Sequence, residues 1–480
     1  MGNILATLGS SAGALDAIDQ VLQVTQNNVA NASTPGYAKQ SLVLEAMPFD
    51  LTSGATGGVR AGQVQSSRDQ YAEQAVRSQT TLLGNAQQNV TSLTSLQTLF
   101  DVTGQSGIPL ALNNLFQSFS AWAQSPSDTV ARQTVLQQAT SLASTFQETA
   151  TGLVSAQQQT QQQLQGTVDQ INQLVGQLQG FNTKIMQGSR NDPSLDAEVN
   201  STLEQLSQYA DITSLQQPDG TVTVLMNGQT PLLVAGQQYK ISYQLAGAAT
   251  PLYAGHASAQ ITAADGTDIT AKTTGGQLGA LLNIRNTVIP SYLGDSFQPG
   301  ELNTLAKTFA DRVNTLLTPV DNSSGTPVPT GVPIFTYDTT NDTNVAQTLA
   351  VDPKVTPDQL TAVDPGPPSI SNGVPLALSA MSTGTDSADQ IDGDTYSQYF
   401  GGMASAVGNA LNEATGQQTV QQTAVAQAQN LRQQTSGVSL DEEATLLVQF
   451  QRAYDANSRL ISVLDQITLD AINIIQPGTA

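Results

Sequence analysis

Two stretches at opposite ends of the chain carry apolar residues at a helical period, and the fold must let them meet. From 439 to 475, Leu440, Leu447, Tyr454, Ile461, Thr468 and Ile475 recur every seven residues. Phe450, Leu464 and Ala471 stand three residues after members of that row, and Leu446, Ala453, Leu460, Ile467 and Ile474 run beside it. So wide a stripe exceeds a two-stranded seam and predicts a helix packed among several neighbours. Ser439 and Glu442 read as a capping box, Asp441 to Glu443 put negative charge at the helix start, and Pro477-Gly478 reads as the stop. From 4 to 31 the chain answers with Leu8, Leu15, Leu22 and Val29 in one row and Ile4, Ile18 and Thr25 in another. That helix is about 42 Å long. By period alone, both are equally well read as core helices of an ordinary bundle.

Composition narrows the function. At 480 residues the chain is too long for one core and predicts several domains. Lys+Arg 16 against Asp+Glu 38 gives a net charge of -22, which repels phosphate backbones and anionic headgroups, so neither nucleic acid nor a membrane surface is expected as a partner. No run approaches the roughly 18 apolar residues of a spanning helix, and the N-terminus lacks the pattern of a cleavable signal. Cys is absent, which excludes disulfides, thiolate metal sites and a cysteine nucleophile. Charged residues are 11% while Gln, Thr, Ser, Ala and Asn abound, a surface suited to packed bacterial assemblies.

The first helix runs into Asn27-Asn28-Val29-Ala30-Asn31 and then Thr34-Pro35-Gly36-Tyr37. Asn tolerates a left-handed cap, and Pro35-Gly36 suits the centre of a type II turn, so the chain must bend here. This segment, with Ala38-Lys39-Gln40 after it, resembles the N-terminal signature of the flagellar rod, hook and hook-associated protein family.

Further along, Leu42 to Glu45 reads as a short strand and Gly54 to Gly62 as a Gly-rich loop. Helical patterns follow from Asp69 to Leu99 and from Ile108 to Ala123, the latter with the single Trp122 read as core beside Phe116 and Phe119. The Gln-rich stretch from Ser127 to Met186 keeps Leu164, Ile171, Leu178 and Ile185 at heptad spacing and predicts one long helix with a solvated face. Another helix spans Leu195 to Tyr209. The period then drops to two at Ile212 to Leu215, Thr221 to Met226, Leu232 to Ala235 and Tyr239 to Leu245, with a further pair around Ile261 and Ile269. Helices resume at Gln277 to Ile289, Glu301 to Leu317 and Gln398 to Gln434, and 319–394 has no sustained period.

The expected class is therefore α+β multidomain: a long-helix coiled-coil bundle built from both chain ends and the middle, with a small antiparallel β domain and an irregular segment inserted. The expected division is 1–40 plus 437–480 as terminal coiled-coil helices, 41–210 plus 275–318 plus 395–436 as a helical bundle, 211–274 as the β domain, and 319–394 as a Pro/Gly-rich insertion.

Asp219-Gly220-Thr221-Val222, Gly275 to Leu282, Leu440-Asp441-Glu442-Glu443-Ala444 and Gln451-Arg452-Ala453-Tyr454-Asp455-Ala456 extend the resemblance over most of the chain, and specifically to the hook-associated members of the hook–filament junction. The chain departs from that pattern at Asp196-Ala197-Glu198-Val199-Asn200, where the family often carries an Asp-x-Arg-Asp type segment. The resemblance implies a structural subunit, exported through the flagellar channel without a cleavable signal peptide and assembled extracellularly as a ring. Its implied partners are copies of itself, hook protein on one side, a second hook-associated protein on the other, and a cytosolic export chaperone on the C-terminal helix. The implied signature residues are Asn27, Asn28, Asn31, Thr34, Pro35, Gly36, Tyr37, Glu443, Gln451, Arg452, Ala453 and Tyr454. The expected assembly surface is Ile4, Leu8, Leu15, Ile18, Leu22, Val29, Leu447, Phe450, Tyr454, Ile461, Leu464 and Ile475. On this reading everything before Asn31 and much of 460–480 orders only on assembly.

Rival classes find less support. An enzyme needs convergent chemistry, yet the chain offers one His, His256, in a Gly- and Ala-rich loop, and no P-loop or nucleophile elbow. Asp392 and Asp394 flank Gly393 as a carboxylate pair of the kind that serves a glycosidase or Ca²⁺, without the rest of an EF-hand loop. No cofactor, metal or catalytic residue is assigned. A flagellar hook or rod subunit, and an adhesin displayed through the β insert, are the alternatives.

Overall fold

The computed structural model describes residues 2–50, 55–101, 106–190, 192–321 and 328–475. The expected stop at Pro477-Gly478 lies outside them, as do the side chains of Ile4 and Ile475.

The organising element is α4 (Thr129–Met186), a helix of 58 residues and thus about 87 Å. Asp128 caps it, its side chain accepting from the Val130 N–H. Its first half buries Val135, Ala139, Leu142, Phe146 and Leu153 in a large core; its second half buries Leu164, Val168, Ile171, Leu174, Val175 and Leu178 in a separate one. Each such side chain contributes roughly 1.5–3 kcal/mol on full burial. Where the two cores part, the buried residues are polar, Gln157 and Thr160.

The large core gathers α3 (Gly107–Gln124), α8 (Glu301–Leu317), α10 (Gly373–Ala380) and the start of α11 (Tyr396–Ser436) around α4. Phe309 of α8 sits among the rings of Phe116 at 6.1 Å, Phe335 at 6.0 Å and Tyr396 at 5.1 Å, all edge-on, the arrangement ring quadrupoles favour. Trp122 is fully buried and its Nε1 donates to the Pro126 carbonyl. The stretch 319–394 holds only short elements, among them α9 (Val345–Thr348) and several two-residue strand pairs. It nevertheless sends Ile334, Phe335, Val345, Leu349, Leu360, Val374, Leu378, Met381 and Ile391 into this core, so it is packed as tightly as the helices it joins. Asp392 and Asp394 belong to a tight hairpin there, with Asp392 (φ 54°) and Gly393 (φ 91°) as its turn.

The second core lies between α4, α5 (Pro193–Tyr209), α6 (Gly276–Asn283) and two antiparallel sheets. One sheet runs in the order β3 (Ile212–Gln216), β4 (Val222–Met226), β5 (Thr230–Val234), β6 (Gln237–Gln238); the other pairs β7 (Ser242–Ala246) with β8 (Ser258–Thr262). The strand partner foreseen near Ile269 is only a bridge from Thr262 to Asp268; β8 turns back on β7 instead. The helix foreseen from Gln277 to Ile289 widens into a π turn over Ile284–Val288 before α7 (Ile289–Leu293).

A single device fastens strand to helix throughout. Asn172 and Asn182 of α4, Asn286 of the π turn and Asn314 of α8 each donate through Nδ2 to one residue's carbonyl and accept through Oδ1 from the same residue's N–H. A neutral amide thereby supplies the two bonds a neighbouring strand would give, with no charge to desolvate.

The Gly-rich stretch expected as a loop is one arm of a ribbon, β1 (Gln40–Asp50) with β2 (Ala55–Ser66). Its strands alternate without burying a face of their own; the ribbon leans on α1 (Gly2–Asn31) instead. Gly58, at φ +125°, takes a conformation costly for other residues, and a Cβ there would stand 2.6 Å from the Ser10 hydroxyl. α2 (Gln70–Gln97) packs along α11, and α12 (Leu440–Ile475) returns beside α1. No helix among the described residues is long and apolar enough to cross a membrane.

Candidate assembly site at the joined chain ends

Asn28, in the last turn of α1, is 1% exposed. Its Nδ2 donates to the Gln40 carbonyl at 2.8 Å and to Glu443 Oε2 at 3.0 Å, while its Oδ1 accepts from the Gln40 N–H at 2.9 Å and the Tyr37 hydroxyl at 3.0 Å. All four hydrogen-bonding positions of the amide are filled, and Glu443, in the first turn of α12, is itself 1% exposed. Lys39 completes the group, its ammonium 2.9 Å from Glu442 and 3.2 Å from Glu443, and the Lys39 N–H donates to the Ser436 carbonyl at the end of α11. One Asn thus binds the first helix, the ribbon and the last helix together.

The turn between them has equally definite causes. Asn31 donates back to Asn27, Thr34 donates to Asn31, and the Tyr37 N–H closes the turn on the Thr34 carbonyl. Gly36, at φ +75°, takes the left-handed position, and a Cβ there would lie 2.5 Å from the Ala197 carbonyl of α5. The expected capping box at the start of α12 is half made: the Glu442 N–H reaches Ser439 Oγ at 3.4 Å, and the Glu442 side chain serves Lys39 instead.

Beneath the turn lies an ion network that the sequence reading missed. Arg68 donates to Asp196 at 2.7 Å, to the Gly36 carbonyl at 2.6 Å and, at 2.5 Å, to Glu73, which is 3% exposed. Arg432 of α11 approaches Glu73 at 3.2 Å and Glu204 at 2.6 Å. The segment that departs from the family pattern therefore supplies, through Asp196, a contact that holds the turn. The signal was available: Glu73 is a carboxylate on the same helical face as the apolar Val76, in a chain poor in charge.

Other sequence-predicted positions lie outside this latch. Gln451, Arg452 and Tyr454 are exposed further along α12, and Ala453 is half-buried. On α1, Ile18 is buried, Leu8, Leu15 and Leu22 are half-buried, and Val29 is 41% exposed. On α12, Leu447, Phe450, Ile461 and Leu464 are half-buried. Ala17, Val21 and Thr25 are also buried, so the part of α1 next to the latch already packs within one chain, contrary to the expectation that everything before Asn31 orders on assembly. His256 is exposed.

The model for the flagellar hook-associated protein FlgK helical domain matches residues 93–327, and that for the flagellar basal body rod FlgEFG protein C-terminal region matches residues 430–474. Flagellar hook-associated protein 1 of Bacillus subtilis (strain 168) is 26% identical over 514 residues, covering 96% of each chain. The chain is thus similar to the flagellar hook-associated protein FlgK family along nearly its whole length. Flagellar hook-associated protein 1 of Escherichia coli (strain K12) is 22% identical, over 97% of this chain and 99% of its own. The flagellar hook junction protein FlgK from Burkholderia pseudomallei shares the fold, with a TM-score of 0.61 and 16% identity over 75% of this chain and 99% of that one. The matched C-terminal segment begins on α11, just before the latch, and runs along α12.

Two outcomes follow from the latch. Asn28→Asp sets a second carboxylate against buried Glu443 and removes a donor, and each buried polar atom left unsatisfied costs about 1–3 kcal/mol. Amide exchange of 17–28 is expected to accelerate by about tenfold or more while α3 and α8 stay protected. The second outcome is alkaline release. Burial, with the Glu443 carboxylate adding to it, pushes the Tyr37 phenol up to about 12, and hydrogen bonding to Glu442 raises Lys39. The released form gives up its protons first, so latch stability is whole below pH about 10 and falls as pH rises from there towards 12. A spin label on α1 should gain mobility across that window, and Tyr37→Phe should flatten the dependence.

Proposed function

We infer that this chain is a structural subunit of the bacterial flagellum that joins hook to filament. The observation that carries the reading is the end-to-end likeness to flagellar hook-associated protein 1, over 96% of both chains, combined with helical ends that are latched together yet open on their outer sides. Beyond Glu443, no described residue of α12 is buried, although Leu460, Val463, Ile467, Leu469 and Ile472 are exposed apolar side chains. Such a face is covered by neighbours in an assembly. The subunit is exported through the flagellar channel without a cleavable signal peptide, its C-terminal helix held beforehand by a cytosolic chaperone, and it closes into a ring. Hook protein lies on one side and a second hook-associated protein on the other. Ile4, Leu8, Leu15, Ile18, Leu22, Val29, Leu447, Phe450, Tyr454, Ile461, Leu464 and Ile475 belong to the helices that line the ring's inner layer.

A hook or rod subunit is the nearest alternative, since the C-terminal segment matches a model shared with rod proteins. The helical-domain match over 93–327 favours the hook-associated class. The protein performs no catalysis; peptidoglycan hydrolysis abolished by changing one carboxylate to an amide would overturn that. Immunogold labelling of an epitope placed at the exposed Asp392-Gly393 turn tests the location. Gold confined to a band between hook and filament is the expected result, and gold along the hook would transfer the protein to the hook class.

A further inference from the structure

The latch makes α1 and α12 antiparallel neighbours, so residues equally far from Asn28 and Glu443 stand at the same height. Asp19 precedes Asn28 by the same number of residues as Arg452 follows Glu443, which places both about 13 Å from the latch. Yet they do not meet. No ion pair among the described residues involves Asp16, Asp19, Arg452 or Arg459, and all four side chains are exposed.

They belong to two outward faces. On α1, Gly9, Ala12, Asp16, Asp19 and Gln23 are exposed at helical spacing, a small and acidic stripe; a Cβ on Gly9 would touch nothing within 4 Å. On α12, opposite the side packed on α1, run Val448, Arg452, Arg459, Leu460, Val463 and Ile467, large and basic, with Val463 56% exposed. Leu460 and Val463 stand at the height of Ala12 and Gly9, about 25–30 Å from the latch. Charge complementarity, to within one helical turn, and size complementarity therefore fall in one register between faces that one chain cannot bring together.

We propose that α12 of one copy docks its outer face on α1 of the next copy at the same height, Arg452 facing Asp19, Arg459 reaching about one helical turn along the axis to Asp16, and Leu460 and Val463 lying over Ala12 and Gly9. The contact joins unlike faces, so its repetition about an axis generates a ring when the rotation closes. The inference rests on the junction reading and names the surface by which the ring closes.

The chain has no cysteine, so introduced ones report cleanly. Asp19→Cys and Arg452→Cys copies, produced together in cells lacking the parent protein, are treated on isolated hook–filament particles with a short bis-maleimide. A dimer is expected from the mixture and from neither variant alone. Arg452→Asp with Arg459→Asp should reduce filament-bearing cells about tenfold or more, as should Asp16→Arg with Asp19→Arg, and combining all four changes in one chain should restore filaments. Filaments on either reversed variant, no rescue by the combination, or no dimer from particles holding both cysteine variants overturns the register. Filaments on cells lacking the protein would instead overturn the junction reading itself.

Discussion

Cells producing the Leu447→Asp, Leu464→Asp variant as their only copy are expected to carry hooks without filaments and to release filament subunits into the medium. Both side chains are half-buried on α12, which touches α1 but neither hydrophobic core. The unfolding of the two cores therefore proceeds as before, and the monomer should melt within about 2 °C of the parent. In the proposed ring each aspartate must be desolvated without a counter-ion, at several kcal/mol per subunit, and every subunit repeats the cost. Export should be unaffected, since the protein would still appear outside the cell. Normal filaments would remove this stripe from the assembly surface, and a collapsed melting curve would make it ordinary core.

The largest effect on folding is expected at Arg68. Its side chain is 9% exposed and holds Glu73, Asp196 and the Gly36 carbonyl together. Arg68→Leu leaves Glu73 with only the 3.2 Å contact to Arg432 and leaves Asp196 without its cation, with Asn200 as its remaining side-chain partner. Breaking a buried pair from one side costs about 3–5 kcal/mol. The first thermal transition should fall by about 3–5 °C. Arg68→Lys should recover only part of this, because an ammonium cannot reproduce the forked contact to Asp196 made through Nε and Nη2. A scan of Arg68→Leu that overlays the parent's would show the network to be solvated in solution.

What the sequence disclosed, and what it withheld, follows the range of the interactions. Elements held by local periodicity were legible: the Gln-rich helix because Leu164, Ile171 and Leu178 keep their face for many turns, and α8 because Leu302, Leu305, Phe309 and Val313 do the same. The ribbon was not, because neither strand buries a face of its own and its glycines read as a loop. Nor was the role of 319–394, where each buried residue lies in or beside an element too short to show a period. The motif Asn28 to Tyr37 was visible as a pattern, but its meaning lies in Glu443, 415 residues away, and no spacing rule connects them. The Arg68 network has the same character, with Asp196 and Glu204 arriving from α5 and Arg432 from α11.

The central claim, that this chain is the piece on which a filament is built after the hook is complete, is tested most directly by electron microscopy of cells with the gene deleted and then restored. The account predicts full-length hooks with bare tips after deletion and filaments again on restoration. Cells that lose the hook itself, or that keep their filaments, would contradict it.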